Sequence, residues 1–387
     1  LSGVRLGIVG MGNMGAGHAR YILNGEVKGV TLAAVCDPST DKLDEWKRRL
    51  GDEVAAYEHV EEMFASGKVD AVLIATPHYD HPALAIRAFE RGLHVLIEKP
   101  AGVYTKQVRE MNEAAAASGL VFGIMYNQRT NPMFQKLRRL IADGELGTVK
   151  RFNWIITDWY RSQAYYDSGS WRATWALEGG GVLINQCPHN IDLLQWTLGM
   201  MPERIRAFCH FGKHRNIEVE DDVTAYMEFP NGATGVFVTS VADAPGTNRY
   251  EVTGDRGKII IENGQMTFWR NAVPESEFNR TNREVFGRPE VWKCDIPVPP
   301  GQGPQHKGIT QNFVNAILYG EPLLAPGEEG IRGLEISNAM HLSTWTDDWV
   351  KLPIDEDLYY EHLKKRIESS KVKEHVRPQT ADVQGSF

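Results

Sequence analysis

The stretch "VRLGIVGMGNMGAGHARYIL" at residues 4–23 most constrains what this chain can fold into. Val4 to Val9 is a short, mostly apolar run of the kind a buried strand makes. Gly10, Gly12 and Gly15 follow in GxGxxG spacing, and a helical pattern runs through Ala16–Leu23. Each glycine has its own task. Gly10 allows a tight turn, Gly12 lets a pyrophosphate approach the backbone, and Gly15 lets the helix pack close to the strand. Asn13 and Met14 open the helix, where free N–H groups and the positive dipole end meet an anion. The spacing alone is weak evidence, but here a strand precedes it and a helix follows.

A second sign of nucleotide binding comes further on. Val30 to Cys36 reads as the next strand and ends at Asp37. A carboxylate there, about 20 residues past the glycines, accepts hydrogen bonds from the adenosine ribose hydroxyls. Pro38, Ser39 and Thr40 follow, with no arginine for a 2′-phosphate. NAD is therefore the expected cofactor, with NADP use left open.

The alternation continues through "VDAVLIATP", "HPALAIRAFERG", "LHVLIEKP", "TKQVREMNEAAAASG" and "LVFGIMY". Strands separated by helices predict an α/β fold with a parallel sheet and helices on both faces. Ligands of such sheets bind at the carboxyl ends of the strands. Asp37, Thr76-Pro77 with His78 and His81, and Glu98-Lys99 before Pro100 all fall near such ends.

The totals exclude several classes. The chain has 387 residues, long enough for two domains of ordinary size. Its net charge of -8 gives no electrostatic support to nucleic-acid binding. No run approaches the roughly 20 apolar residues of a membrane span. The four cysteines, Cys36, Cys187, Cys209 and Cys294, have neither disulfide nor zinc spacing. No metal site is expected, and a cytoplasmic location fits.

With the GxGxxG turn, "ATPHYDHPALAIRAFERGLHVLIEKPAG", "GELGTVKRF" and "GGGVLINQCPHNIDLLQW", the chain resembles the Gfo/Idh/MocA family of oxidoreductases. These motifs span about residues 5 to 200 in order. The resemblance implies a Rossmann domain over residues 1–127 and a substrate-binding and oligomerisation domain over 128–387. The second domain would be α+β, with a large, mostly antiparallel open sheet whose outer face assembles a homodimer or homotetramer. Six later segments from "VKRFNWIITDW" to "GKIIIENGQMTFWR" read as strands with no helices among them. A long Pro- and Gly-rich loop is expected over about 271–305, then helices over Ile309–Leu318 and Gly327–Trp349. The polar end beyond about Ile367 is expected to fray.

Oxidising an alcohol with NAD needs a hydride acceptor, a base and a positive group for the developing alkoxide. The resemblance puts Lys99 beside the nicotinamide and His189 in the family's histidine position, three residues before Asp192. An imidazole near neutrality can take the hydroxyl proton. Asp192 would orient that imidazole or bond to nearby backbone. Many relatives carry an aspartate where this chain has Asn185. An amide cannot relay a proton, so Asn185 is expected to position substrate while Lys99 and His189 carry the acid–base work. Gly179–Gly181 are expected to give backbone room beside the cofactor, and Pro188 to start a helix.

Residues 158–175, "DWYRSQAYYDSGSWRATW", hold six aromatics in 18 positions. Trp159, Tyr160, Tyr165 and Trp171, mixed with polar groups, suit a sugar, whose C–H faces stack on rings. A subunit interface would favour the same residues. The resemblance also lets Trp171-Arg172 close over the nicotinamide end. Tyr126, Gln128 and Arg129 are expected to face the same cleft. The expected activity is oxidation or reduction of a ring hydroxyl of a sugar, glycoside or cyclitol. Two alternatives are glycoside cleavage with recycled NAD and a non-catalytic sugar sensor.

Overall fold

Strands buried on both faces pair in parallel and are covered by the helices that connect them. In the computed structural model, which describes residues 3–50, 53–371, 373 and 376, six strands do this. They are β1 (Val4–Val9), β2 (Val30–Cys36), β3 (Ala55–Tyr57), β4 (Ala71–Ile74), β5 (His94–Ile97) and β6 (Phe122–Ile124). Every pairing is parallel, in the order β3-β2-β1-β4-β5-β6. The linking helices are α1 (Asn13–Leu23), α2 (Thr40–Leu50), α3 (Val60–Ala65), α4 (Asp80–Glu90) and α5 (Thr105–Ser118). The order reverses between β1 and β4, which opens a crevice at their carboxyl ends. Gly10 lies at φ 91°, and a Cβ there would sit 2.6 Å from the Ala75 carbonyl oxygen. A Cβ on Gly15 would sit 1.8 Å from the Gly10 oxygen, so α1 can approach the turn only because that side chain is missing.

The second sheet has nine strands. After α6 (Pro132–Ala142) come β7 (Val149–Ile156), α7 (Gln163–Asp167) and α8 (Pro188–Leu198). Then follow β8 (Arg204–Phe211), β9 (Glu220–Glu228), β10 (Thr234–Ser240), β11 (Asn248–Gly254), β12 (Gly257–Glu262) and β13 (Gln265–Asn271). With β14 (Val291–Asp295) and β15 (Val350–Lys351) at its edges, the sheet order is β14-β13-β12-β11-β7-β10-β9-β8-β15, antiparallel except for β7 with β10. The expected loop over 271–305 is more ordered than its composition suggested. It contains α9 (Glu275–Thr281) and an edge strand, β14 (Val291–Asp295). Both carry almost no burial, so no apolar periodicity marks them in the sequence.

The chain ends with α10 (Gln305–Tyr319), α11 (Gly330–Thr346), β15 (Val350–Lys351) and α12 (Glu356–Ser369). Helix α12 continues to Ser369, and most of the polar segment expected to fray lies outside the described residues. Ile309, Phe313 and Val314 of α10 join the core of the parallel sheet, so a distant segment closes the nucleotide fold. Helices α8 and α11 are buried on the inner side of the nine-stranded sheet. Ile155, Phe208, Tyr226 and Trp269 are exposed, and strand register places them together on the opposite side. Among the described residues no helix is long and apolar enough to cross a membrane.

Gly235 in β10 tests this packing. A Cβ there would fall 1.8 Å from the Phe152 ring. Gly235→Ala should destabilise the chain by about 1–3 kcal/mol, the usual cost of overpacking, read as a lower urea midpoint at unchanged slope.

Candidate active site

The dinucleotide end is built from backbone. Helix α1 starts after Gly12 with no side-chain cap and no acid in its first turn. Its first N–H groups, at Asn13 and Met14, are therefore available to an anion. A Cβ on Gly12 would meet nothing within 4 Å, which is the open approach a pyrophosphate requires. The Asp37 carboxylate accepts from the Met11 N–H at 2.8 Å and the Ser39 N–H at 3.0 Å, so it ties β2 to the glycine turn. Lys42 stands 3.2 Å from it, a cation beside the carboxylate. These residues fit NAD: the donors, the open turn and the carboxylate each stand where the cofactor needs them.

Further along the crevice, His81 braces two strand ends. Its ring nitrogens lie 2.9 Å from the Thr76 carbonyl oxygen and 2.8 Å from that of Pro100. Both nitrogens are occupied by backbone, so His81 shapes the site and offers a ligand no direct contact. His78 lies 3.1 Å from the Glu178 carbonyl oxygen and edge-on to Trp171, joining the two domains. Burial, with His81 and Lys99 nearby, pushes it down to about 3, so it is neutral. Burial alone would raise Glu98, but His18, 2.6 Å away, holds it down to about 2. Gln128 is half-buried and donates to Gln305 at the start of α10.

Lys99 donates to the Asn185 carbonyl oxygen at 2.8 Å. Burial lowers its ammonium below the usual range, while Glu98 and Glu178 oppose that. Behind it the segment 178–187 folds as tight turns. A Cβ on Gly179 would strike Val103, one on Gly180 would strike Ile184, and one on Gly181 would fall 2.0 Å from the Glu220 oxygen. The room expected for a cofactor is thus taken by the protein's own packing. Glu220 accepts from the N–H groups of Gly181 and Leu183 and fixes the turn. Helix α8 begins at Pro188 as expected, so Asn185 lies in the turn before it rather than on its face.

His189 is buried in the first turn of α8. Among the described residues neither ring nitrogen has a hydrogen-bond partner. Burial, with Lys99 close by, lowers it well below the ordinary histidine value, so the imidazole is neutral. An unpaired buried polar group is uncommon and calls for an explanation. The Trp159 indole donates to Asn190 at 3.0 Å, one residue along the helix. Arg172 donates to the Tyr165 hydroxyl at 2.7 Å and stacks on both Tyr165 and Trp171. Tyr160 is 49% exposed beneath Arg215, at the rim.

Three residues expected in the cleft are elsewhere. Tyr126 is buried, donates to the Gly330 oxygen at 3.4 Å and lies edge-on behind His189. Arg129 is fully buried and grips Asp192 with two bonds of 2.8 and 2.7 Å, and Glu329 with a third of 2.6 Å. Asp192 therefore does not reach the His189 ring. A guanidinium that is buried needs carboxylate partners, and the two acids hold it above its usual value against the opposing effect of burial. Glu178 was missed. It is buried, receives the Ala173 N–H and the Asn185 amide, and is pushed up to about 7 by burial. An acid placed just before three glycines in an apolar stretch was its only trace in the sequence.

With this geometry in view, the relatives are informative. Residues 4–126 match the oxidoreductase family with an NAD-binding Rossmann fold, and residues 134–260 match the Gfo/Idh/MocA C-terminal domain. The chain belongs to the Gfo/Idh/MocA family and is an NAD-binding oxidoreductase. It is 25% identical to myo-inositol 2-dehydrogenase of Thermotoga maritima over 353 residues, 90% of this chain and 98% of that one. It is 27% identical to scyllo-inositol 2-dehydrogenase (NAD(+)) of Bacillus subtilis over 67% of this chain and 73% of that one. Among solved structures, WlbA dehydrogenase from Bordetella pertussis, in complex with NADH and UDP-GlcNAcA, superposes with TM-score 0.76 at 25% identity. That match covers 91% of this chain and all of the other.

The buried ion pair gives a test. Arg129→Met should destabilise the chain by about 3–5 kcal/mol, because it strands the Asp192 carboxylate. An unfolding free energy from urea titration within about 0.5 kcal/mol of the parent would show that the pair is not structural.

Proposed function

We propose that the protein is an NAD-dependent dehydrogenase that oxidises or reduces a ring hydroxyl of a sugar, glycoside or cyclitol. One observation carries the reading: a neutral, buried His189 with both nitrogens unpartnered among the described residues, beside the half-buried Lys99. The bound nicotinamide supplies the hydride acceptor. His189 takes the hydroxyl proton, since a neutral imidazole can accept it directly. Lys99 stabilises the developing alkoxide with its ammonium in a water-poor cleft, where a fixed charge is worth most. Its bond to the Asn185 carbonyl oxygen aims it. Trp159, Tyr165, Trp171 and Arg172 form the substrate wall, with Tyr160 at the rim. The inositol dehydrogenases among the relatives support a polyhydroxylated substrate.

The boundary we propose follows the motifs, with residues 1–127 holding NAD and 128–387 holding substrate and partner. Copies would associate as a dimer or tetramer through the outer face of the nine-stranded sheet, where Ile155, Phe208, Tyr226 and Trp269 are exposed. A panel of monosaccharides, glycosides and inositols with NAD, followed by NADH absorbance, tests the activity. Sugar conversion with no net NADH would favour cofactor recycling, and NAD binding with no turnover would favour a sensor. Lys99→Ala should lower turnover by at least about 100-fold while NAD affinity stays within a few-fold. Turnover retained within a few-fold would overturn the Lys99 assignment.

A further inference from the structure

The Asn185 backbone carbonyl oxygen accepts from Lys99 while its side-chain amide reaches toward Tyr165, and the direction of that amide is not its own choice. Its nitrogen donates to one oxygen of Glu178 and, at 3.5 Å, toward the Tyr165 hydroxyl. The other oxygen of Glu178 accepts the buried Ala173 N–H. A carboxylate can only accept, so it compels the amide to turn its NH2 inward. The carbonyl oxygen then faces the other way. A proton on Glu178 would reverse this. The oxygen held by the Ala173 N–H cannot act as the donor, so the proton must sit on the oxygen that faces Asn185. The amide would then rotate to accept it and present NH2 outward.

We propose that Glu178 is a positioning residue whose charge state selects whether Asn185 accepts from, or donates to, a substrate group in the cleft. The inference rests on the dehydrogenase reading above and deepens it by naming what orients the substrate hydroxyl. With Glu178 ionised, Asn185 is an acceptor and suits a substrate hydroxyl beside the reacting one, whose own proton goes to His189. With Glu178 protonated, it is a donor and no longer accepts from that hydroxyl.

The surroundings place this change near neutrality. Burial pushes Glu178 up to about 7, against the Ala173 N–H, the Asn185 amide and Arg172, while Glu220 adds to the rise. Lys99 and Lys373 face it as cations, and the phenols of Tyr165 and Tyr166 are close enough to feel its charge. His78, against the Glu178 carbonyl oxygen, is already neutral throughout this range.

Glu178→Gln imitates the protonated form. Its oxygen must keep the Ala173 N–H, which turns its own NH2 toward Asn185. The full-length chain and the variants E178Q, N185A and E178Q/N185A would be compared by kcat/KM for alcohol oxidation from about pH 5 to 9. The parent should gain rate through an ionisation near neutrality that is missing in both E178Q and N185A. At high pH, E178Q should lose on the order of 10-fold, the scale of one mismatched hydrogen bond, and far less in the N185A background. An ionisation that persists in N185A, or an equal E178Q effect in both backgrounds, would overturn the proposal. A second readout needs no turnover: the side-chain amide resonance of Asn185, assigned by its absence in N185A. It should shift with pH near neutrality in the parent and stay fixed in E178Q. A pH-independent resonance in the parent overturns the inference, whereas a titrating resonance with no turnover on any sugar overturns only the dehydrogenase reading.

Discussion

The Arg129 fork is the interaction on which the site depends. Arg129 lies just past the last parallel strand, Asp192 in α8, and Glu329 just before α11. One guanidinium therefore ties three segments that are far apart in sequence. Its partners must be carboxylates, because an unpaired charge in that interior costs several kcal/mol. The consequence is positional. With Asp192 fixed at one end, α8 cannot rotate, and His189 one turn earlier is held against Tyr126 with its nitrogens unsatisfied among the described residues. Asp192 thus fixes His189 through the helix rather than through a hydrogen bond.

The parallel half of the fold was legible because its strands are buried on both faces and read as continuous apolar runs. The residues at their ends follow from topology alone, so Asp37, Thr76 and Lys99 could be placed without coordinates. The antiparallel half was legible strand by strand, but α9 and β14 were not, since exposed elements need no periodic pattern. Side-chain direction was the larger gap. After β6, Tyr126 precedes and Arg129 lies within a short 3-10 turn (Asn127–Thr130), both are buried, and no spacing in the sequence encodes that. Glu178 was hidden for a related reason. Its partners Ala173 and Asn185 meet it only once the glycine turn has closed, and that closure depends on Glu220 from another strand.

The same burial that hid these residues sets their chemistry. Burial depresses His78 and His189, so both imidazoles near Lys99 are neutral. His18 holds Glu98 down, whereas burial outweighs the partners of Glu178 and raises it. Both acids favour the Lys99 ammonium, Glu98 held down by His18 and Glu178 raised by burial. A site built this way can bind a neutral polyol with few permanent charges and still confront a developing alkoxide with a cation. An amide at Asn185 fits this arrangement, because it adds no carboxylate of its own and leaves Glu178 one hydrogen bond behind it.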